Sequence, residues 1–171
     1  MFAERGEAGR LLAEKLLFLR PKQSLLVLAI PRGGVVIGKI IADTLKIPLG
    51  VIYAKKIPTP GQPELAAGAR MVRTRKFGPT PEVRGKEVIL TDDGIATGET
   101  VRAAIIYLKK KRAKKIILAV PVSPKDSLKK IKPLVDKAIV LQTPRFFSAV
   151  GEFYLKFPQV TDKEVLQLLQ P

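Results

Sequence analysis

Residues 87–100 read EVILTDDGIATGET, and this stretch decides the fold. Glu87 to Thr91 is a short apolar run without alternation, the pattern of a strand buried on both faces. Two adjacent acids, Asp92 and Asp93, end it. A turn follows through Gly94, Ile95, Ala96, Thr97 and Gly98. Glu99 and Thr100 then lead into a segment where Val101, Ala104, Ile105 and Leu108 recur at helical spacing. Asp-Gly is also a hairpin signal, but the helical pattern after it argues against a hairpin.

The same alternation recurs on either side. Leu25 to Ile30 is a second doubly buried run, broken by Pro31-Arg32-Gly33-Gly34, and Val36, Ile37, Ile40, Ile41 and Leu45 mark a helix after it. Leu49 to Ala54, Ile116 to Val120 and Ala138 to Leu141 read as further strands. Ala8, Leu12, Leu16 and Leu19 predict an amphipathic first helix ended by Pro21. Ser123-Pro124 reads as an N-cap with Pro at the first helical position, and Thr161 to Glu164 has capping-box spacing. Residues 55–81, rich in Pro, Gly and basic residues, read mainly as a long loop with a short strand near Leu65 to Val72. The expectation is one α/β domain over 1–171. It would have a mostly parallel, twisted sheet of about five strands with helices on both faces. Ligands of such sheets sit at the carboxyl ends of the strands, which singles out the loops after Ile30, Ala54 and Thr91.

Composition narrows the chemistry. The 171 residues carry 31 Lys and Arg against 15 Asp and Glu, a formal charge of +16, with no His, Cys or Trp. That excludes imidazole general bases, thiolate nucleophiles, disulfides and Cys- or His-held zinc. A metal must come with carboxylates, phosphates and water, which suits Mg²⁺, and no protein metal ligand is assigned. The missing Cys and Asn and the many Lys fit a thermophilic source. No apolar run has the length of a membrane span, and the charged first 20 residues lack a signal-peptide core, so a soluble cytoplasmic protein is expected. The basic excess favours an anionic partner, a polyphosphate or a nucleic acid.

Three loops hold the chemical candidates. A helix start leaves amides unpaired at its positive end, and Gly94, Gly98 and the Thr97 and Thr100 hydroxyls complete a phosphate cradle. The acids beside it would repel a bare phosphate but suit the hydroxyls of a sugar. Gly33 and Gly34 allow close backbone approach, and Arg32 adds a planar fork for phosphate. Residues 33–40 nearly match a nucleoside-triphosphate loop, yet Ile40 stands where a hydroxyl is required and the middle is apolar. Lys55 and Lys56 follow the second strand, with Arg70, Arg73, Arg75 and Lys76 in a segment that reads as a lid. Phe146, Phe147, Phe153, Tyr154 and Phe157 cluster near the end, either as a stacking hood or as core and dimer contacts. The run from Lys109 to Lys115 lies at the amino end of a strand, opposite the proposed site, where cations also offset a helix dipole.

EVILTDDGIATGET resembles the phosphoribosyl-pyrophosphate signature of the type I phosphoribosyltransferases, and the resemblance covers most of the chain. It implies that Asp92 and Asp93 hold the ribose 2′ and 3′ hydroxyls and act in catalysis. It implies that Gly94, Ile95, Ala96, Thr97, Gly98, Glu99 and Thr100 bind the 5′-phosphate. The loop of Arg32, Gly33 and Gly34 would take pyrophosphate with Lys55 and Lys56, and Arg32 and Lys56 would stabilise the leaving anion. A hood from the chain ends would cover the acceptor base, with Phe146 or Phe147 stacking on it. Glu64 is a candidate for protonating the base. Hypoxanthine-guanine members of the family have an Asp where this chain has Ala96. The resemblance implies a nucleotide-salvage transferase using phosphoribosyl pyrophosphate, a nucleobase and Mg²⁺, and leaves a homodimer open. The other reading is a non-enzymatic sensor of phosphoribosyl pyrophosphate or nucleotide that binds nucleic acid through its basic surface.

Overall fold

A computed structural model describes residues 1–19, 23–59, 62–71 and 76–171, with the backbone alone over 55–59 and 62–71. The chain runs α1 (Arg5–Lys15), β1 (Leu25–Ala29), α2 (Gly33–Leu45), β2 (Leu49–Val51), β3 (Ala54–Thr59), β4 (Gln62–Met71) and β5 (Glu87–Thr91). It continues through α3 (Glu99–Lys110), β6 (Lys115–Val122), α4 (Lys125–Ile131), β7 (Lys137–Gln142) and α5 (Asp162–Leu168). The main sheet has the order β2-β1-β5-β6-β7, and every pairing in it is parallel. From β1 the chain first moves outward to β2, then returns to the other side of β1 with β5. The strand order therefore reverses between β1 and β5, and a crevice opens there at their carboxyl ends.

The doubly buried runs have a direct cause. On one face Val27, Ile89 and Ile117 pack against Leu12 and Leu16 of the first helical segment and Ile37 and Ile41 of α2. On the other, Leu28, Leu90 and Leu118 pack against Ile105 and Leu108 of α3 and Ile131 of α4. Alternate residues of each strand are thus covered from opposite sides, which removes any pressure for a polar partner position. Each fully buried Leu or Ile contributes about 1.5–3 kcal/mol relative to exposure.

The chain ends pair beside this core. The Phe2 N–H donates to Phe153 O at 2.7 Å, and the Leu155 and Lys156 N–H groups return to Phe2 O and Ala3 O. Thr161 closes the expected capping box with Glu164, and α5 packs Val165 with Val160, Val35, Val51 and Phe77. Among the described residues, no helix is long and apolar enough to cross a membrane.

Several elements differ from their sequence reading. The rejected triphosphate loop is not among them: residues 33–40 lie in α2 from Gly33 onward. The first helix stops at Lys15, with Leu16 and Leu19 buried in the turn after it, while Pro21 lies outside the described residues. β2 ends at Val51, and Ala54 already belongs to the next hairpin. Much of the expected long loop is that hairpin, the antiparallel pair β3 and β4, with register shifts around Pro58. Its prolines and glycines mimic loop composition, because the bulges absorb the residue that cannot donate. Ser123 does not cap α4. It is buried, and Pro124 occupies the cap position in extended conformation.

Candidate active site

The crevice between β1 and β5 brings two sequence-distant turns into contact. The ladder ends with the Ile30 N–H on Thr91 O at 2.9 Å, after which the Pro31–Gly34 turn and the acid pair lie side by side. The Pro31–Arg32 peptide is cis. A Cβ on Gly33 would stand 1.8 Å from Asp93 Oδ2, and one on Gly34 would stand 2.9 Å from Asp92 Cα. These glycines therefore exist first to let the turn pass over the acids.

Asp92 and Asp93 are in unlike environments. The Asp93 N–H donates to Asp92 Oδ1 at 2.8 Å. Arg5, reaching across from α1, donates from Nε to Asp93 Oδ2 at 2.8 Å and from Nη1 to Pro158 O at 2.7 Å. Its guanidinium lies 3.7 Å from the centre of the Phe157 ring. The Tyr154 hydroxyl donates to Asp93 O at 2.7 Å, and burial followed by the Asp93 charge pushes its pKa up, so it stays a donor. Among the described residues, no cation lies at hydrogen-bond distance from Asp92. Burial, then the charge of Asp93, raises its carboxyl well above the usual carboxylate range. Sequence reading missed Arg5, and it placed Tyr154 only in the aromatic cluster, without its bond to Asp93, because neither carries a motif. The one available signal was a lone arginine opening a helix whose inward stripe is otherwise apolar.

After the acids the loop divides its labour. Gly94 and Ile95 turn inward, where the Ile95 side chain is buried and its N–H donates to Val122 O at 2.8 Å. Ile95 is therefore a packing residue, and its amide is not open to a ligand. Ala96 and Thr97 are exposed, and the Ala96 carbonyl is held from behind by Ser127 Oγ at 2.6 Å. Gly98 caps α3 at φ +85°, a conformation costly for any side chain. Among the described residues the amides of Ala96, Thr97, Gly98 and Thr100 have no hydrogen-bond partner, whereas Glu99 N–H lies 3.5 Å from Thr97 Oγ1. An open row of amides at a helix start is an anion cradle.

The remaining expected residues are placed unevenly. Arg32 is half exposed, with Nε 3.4 Å from Asp162 Oδ1 at the start of α5. The other oxygen of Asp162 holds Lys76, which keeps that carboxyl below its usual range. Lys55, Lys56 and Arg70 lie on β3 and β4 with side chains outside the described set, as is that of Glu64, and Arg73 and Arg75 lie outside the described residues. Phe147 stacks on Phe153 at 5.4 Å, and Phe146 is 91% exposed. Neither lines the cleft of about 310 Å³ beside the acid pair. Its walls are Arg5, Arg32, Gly33, Phe157, Gln159 and Val160, so the aromatic of this cleft is Phe157. No group of three acidic ligands is present among the described residues, so they form no resident metal cage.

A parallel α/β sheet with an acid pair and open amides at its switch point defines a class of domain whose ligand site lies at the carboxyl ends of the central strands. Comparison with known proteins gives the family: residues 4–158 match the phosphoribosyl transferase domain, and the chain belongs to that family. A Mycobacterium tuberculosis protein, whose name of phosphoribosyl transferase is itself provisional, is 34% identical over 206 positions. The alignment takes in 99% of this chain and 46% of that protein, so the chain spans less than half the length of this curated relative. A crystal structure of a protein from Thermus thermophilus superposes with a TM-score of 0.83 at 30% identity, covering 98% of this chain and 97% of the other. A purine phosphoribosyltransferase from Pyrococcus horikoshii shares the fold, with a TM-score of 0.58 at 22% identity and 92% of each chain covered.

Proposed function

We propose that the chain transfers the 5-phosphoribosyl group of phosphoribosyl pyrophosphate to a nitrogenous base, in cytoplasmic nucleotide salvage. The observation that carries this reading is the acid pair set beside the open amides of residues 96–100. A sugar bearing both hydroxyls and a terminal phosphate satisfies the two together. Asp92 and Asp93 take the 2′ and 3′ hydroxyls, and the loop amides with Thr97 and Thr100 take the 5′-phosphate. Arg32 and the Gly33–Gly34 turn, with Lys55 and Lys56, receive the pyrophosphate. The acceptor base enters the cleft beside Phe157, whose volume suits a small heterocycle.

In the reaction the bond from the anomeric carbon to pyrophosphate oxygen breaks, and its electron pair leaves with the pyrophosphate. A ring nitrogen lone pair of the base forms the new bond, and the base loses its proton to phosphate or water. Positive charge grows at the anomeric carbon, and in this reading the Asp93 carboxylate, which Arg5 holds, offsets it. Magnesium belongs to this reading as the counter-ion of the substrate pyrophosphate, held by phosphate oxygens and water. No imidazole is required. Ala96 removes the acid of hypoxanthine-type members, which turns the reading toward other bases.

The test is pyrophosphate release from phosphoribosyl pyrophosphate and Mg²⁺ across a panel of purines and pyrimidines. A thermal-shift series with nucleoside monophosphates would report the base. Release with one base supports the reading. Tight binding without release from any base would make the chain a sensor instead.

A further inference from the structure

A large share of the positive charge is concentrated in one stretch of the chain. Between positions 109 and 137 eleven Lys and Arg stand against two acids, Asp126 and Asp136. Six of the eleven, Lys109 to Lys115, close α3 and open β6. Four more follow on and just after α4, and Lys137 opens β7. All but Lys115 are exposed.

The topology gathers the first and last of these segments. β5, β6 and β7 are neighbours in register, Glu87 beside Lys115 and Ile117 beside Lys137, so their amino ends form a single edge. α4 is not part of this edge, since its Ser127 holds the Ala96 carbonyl and its Ile131 packs against Gly98 of the acidic loop. Of the two acids, Asp136 is committed to the fold, because its Oδ2 accepts from Ile116 N–H at 2.7 Å. Asp126 lies on α4, and the acids at the edge itself are Glu82, which faces Lys111, and Glu87 beside Lys115. Like charges crowded in this way repel one another, and a polyanion relieves the repulsion by releasing its counter-ions.

Two rings border the basic surface. Phe18 is 54% exposed, and Lys137 Nζ lies 4.0 Å from its centre. Tyr107 carries Lys111 Nζ at 5.7 Å. An exposed phenyl at a cationic margin has no solubilising role, but it gives an unpaired base a face to stack on while lysines hold the flanking phosphates. We propose that the face built from the end of α3, the start of β6 and the start of β7 binds single-stranded nucleic acid, with Phe18 as its stacking ring. The face lies at the opposite ends of the strands from Asp92 and Asp93 and does not depend on the transferase reading.

Fluorescence anisotropy of the full chain with labelled oligonucleotides of about 20 nucleotides, over about 0.05–0.3 M salt, tests it. Two variants of equal net charge are compared: K109E/K110E/K111E/K114E on the face, and R10E/K46E/K156E/K163E elsewhere. The first should weaken single-strand binding at least about tenfold at about 0.15 M salt, and the second less than about threefold. Phe18→Ala should weaken it about fivefold or more while leaving the salt slope unchanged. Thermal melts confirm that each variant is folded. Equal losses in the two charge variants would overturn the proposal, and so would equal affinity for a duplex of the same length. A Phe18→Ala protein that binds like the parent would also overturn it.

Discussion

Arg5 and Asp93, 88 positions apart, meet in a contact of 2.8 Å from Nε to Oδ2, where the arginine side chain is 8% exposed. The contact ties the first helix to the acid that follows β5, and through Pro158 O it also ties in the chain end. Removing one partner leaves the other charge buried alone. Arg5→Ala should lower stability by about 3 kcal/mol, read as a shift of the urea midpoint at constant slope. Arg5→Lys should recover only part of this, because a point charge cannot serve both oxygen partners and stack on Phe157. An Arg5→Ala protein as stable as the parent would mean that the pair is not formed in solution.

Asp92 gives the opposite sign. Its carboxyl is raised, so the folded state holds that proton more tightly than the unfolded chain does. Its contribution to stability is therefore full below the ordinary aspartate range and is lost as pH rises through the raised folded value. Asp92→Asn should raise the melting temperature at about pH 7.5, with the gain vanishing near pH 4. The same variant should lose phosphoribosyl transfer. Asp93→Asn should lose transfer and also destabilise by about 2 kcal/mol, because it weakens the Arg5 pair.

The glycine turn supplies a steric test. In Gly33→Ala the new methyl meets Asp93 Oδ2 at 1.8 Å and Arg5 Nε at 2.9 Å, so the ion pair must move. A loss of about 2–3 kcal/mol is expected by denaturant titration, together with loss of pyrophosphate binding. Gly78→Ala, at φ +83° but with open space around it, should cost only about 1 kcal/mol and leave binding intact.

Thr91 is fully buried, and its hydroxyl has no hydrogen-bond partner among the described residues. Thr91→Val removes that polar atom at nearly constant shape. An increase of about 1 kcal/mol in unfolding free energy is the expected result.

Asp162 holds Arg32 and Lys76, cations that the proposed pyrophosphate subsite would use or adjoin. A pyrophosphate must compete with this carboxylate. Asp162→Asn should therefore tighten inorganic pyrophosphate binding about two- to fivefold by calorimetry, less at high salt. Unchanged affinity would place Arg32 outside the subsite.

The sheet was legible because its signal is local. Leu25 to Ala29, Glu87 to Thr91 and the first five residues of 116–122 are buried on both faces, and only such burial rewards unalternating runs. The helices between them show their inward stripes directly, and the Thr161–Glu164 box specifies its own helix start. Of the β3–β4 hairpin only the strand near Leu65 was legible, because Pro58 lies at a register shift and turn composition does not reveal pairing. The acid pair and the glycines were visible as residue types with plausible ligands. Their division of labour was not, since Asp92 and Asp93 are neighbours in sequence and differ only in what reaches them. By itself the sequence determined a parallel α/β domain with an acidic, glycine-bearing loop at one strand end. That follows from periodicity, which the backbone reads within a few residues. Only the tertiary structure decided that Arg5 claims Asp93 while no cation among the described residues reaches Asp92, and that Phe157 rather than Phe146 lines the cleft. Those outcomes depend on contacts across the whole chain, and no local pattern encodes the meeting of residues 5, 93 and 157.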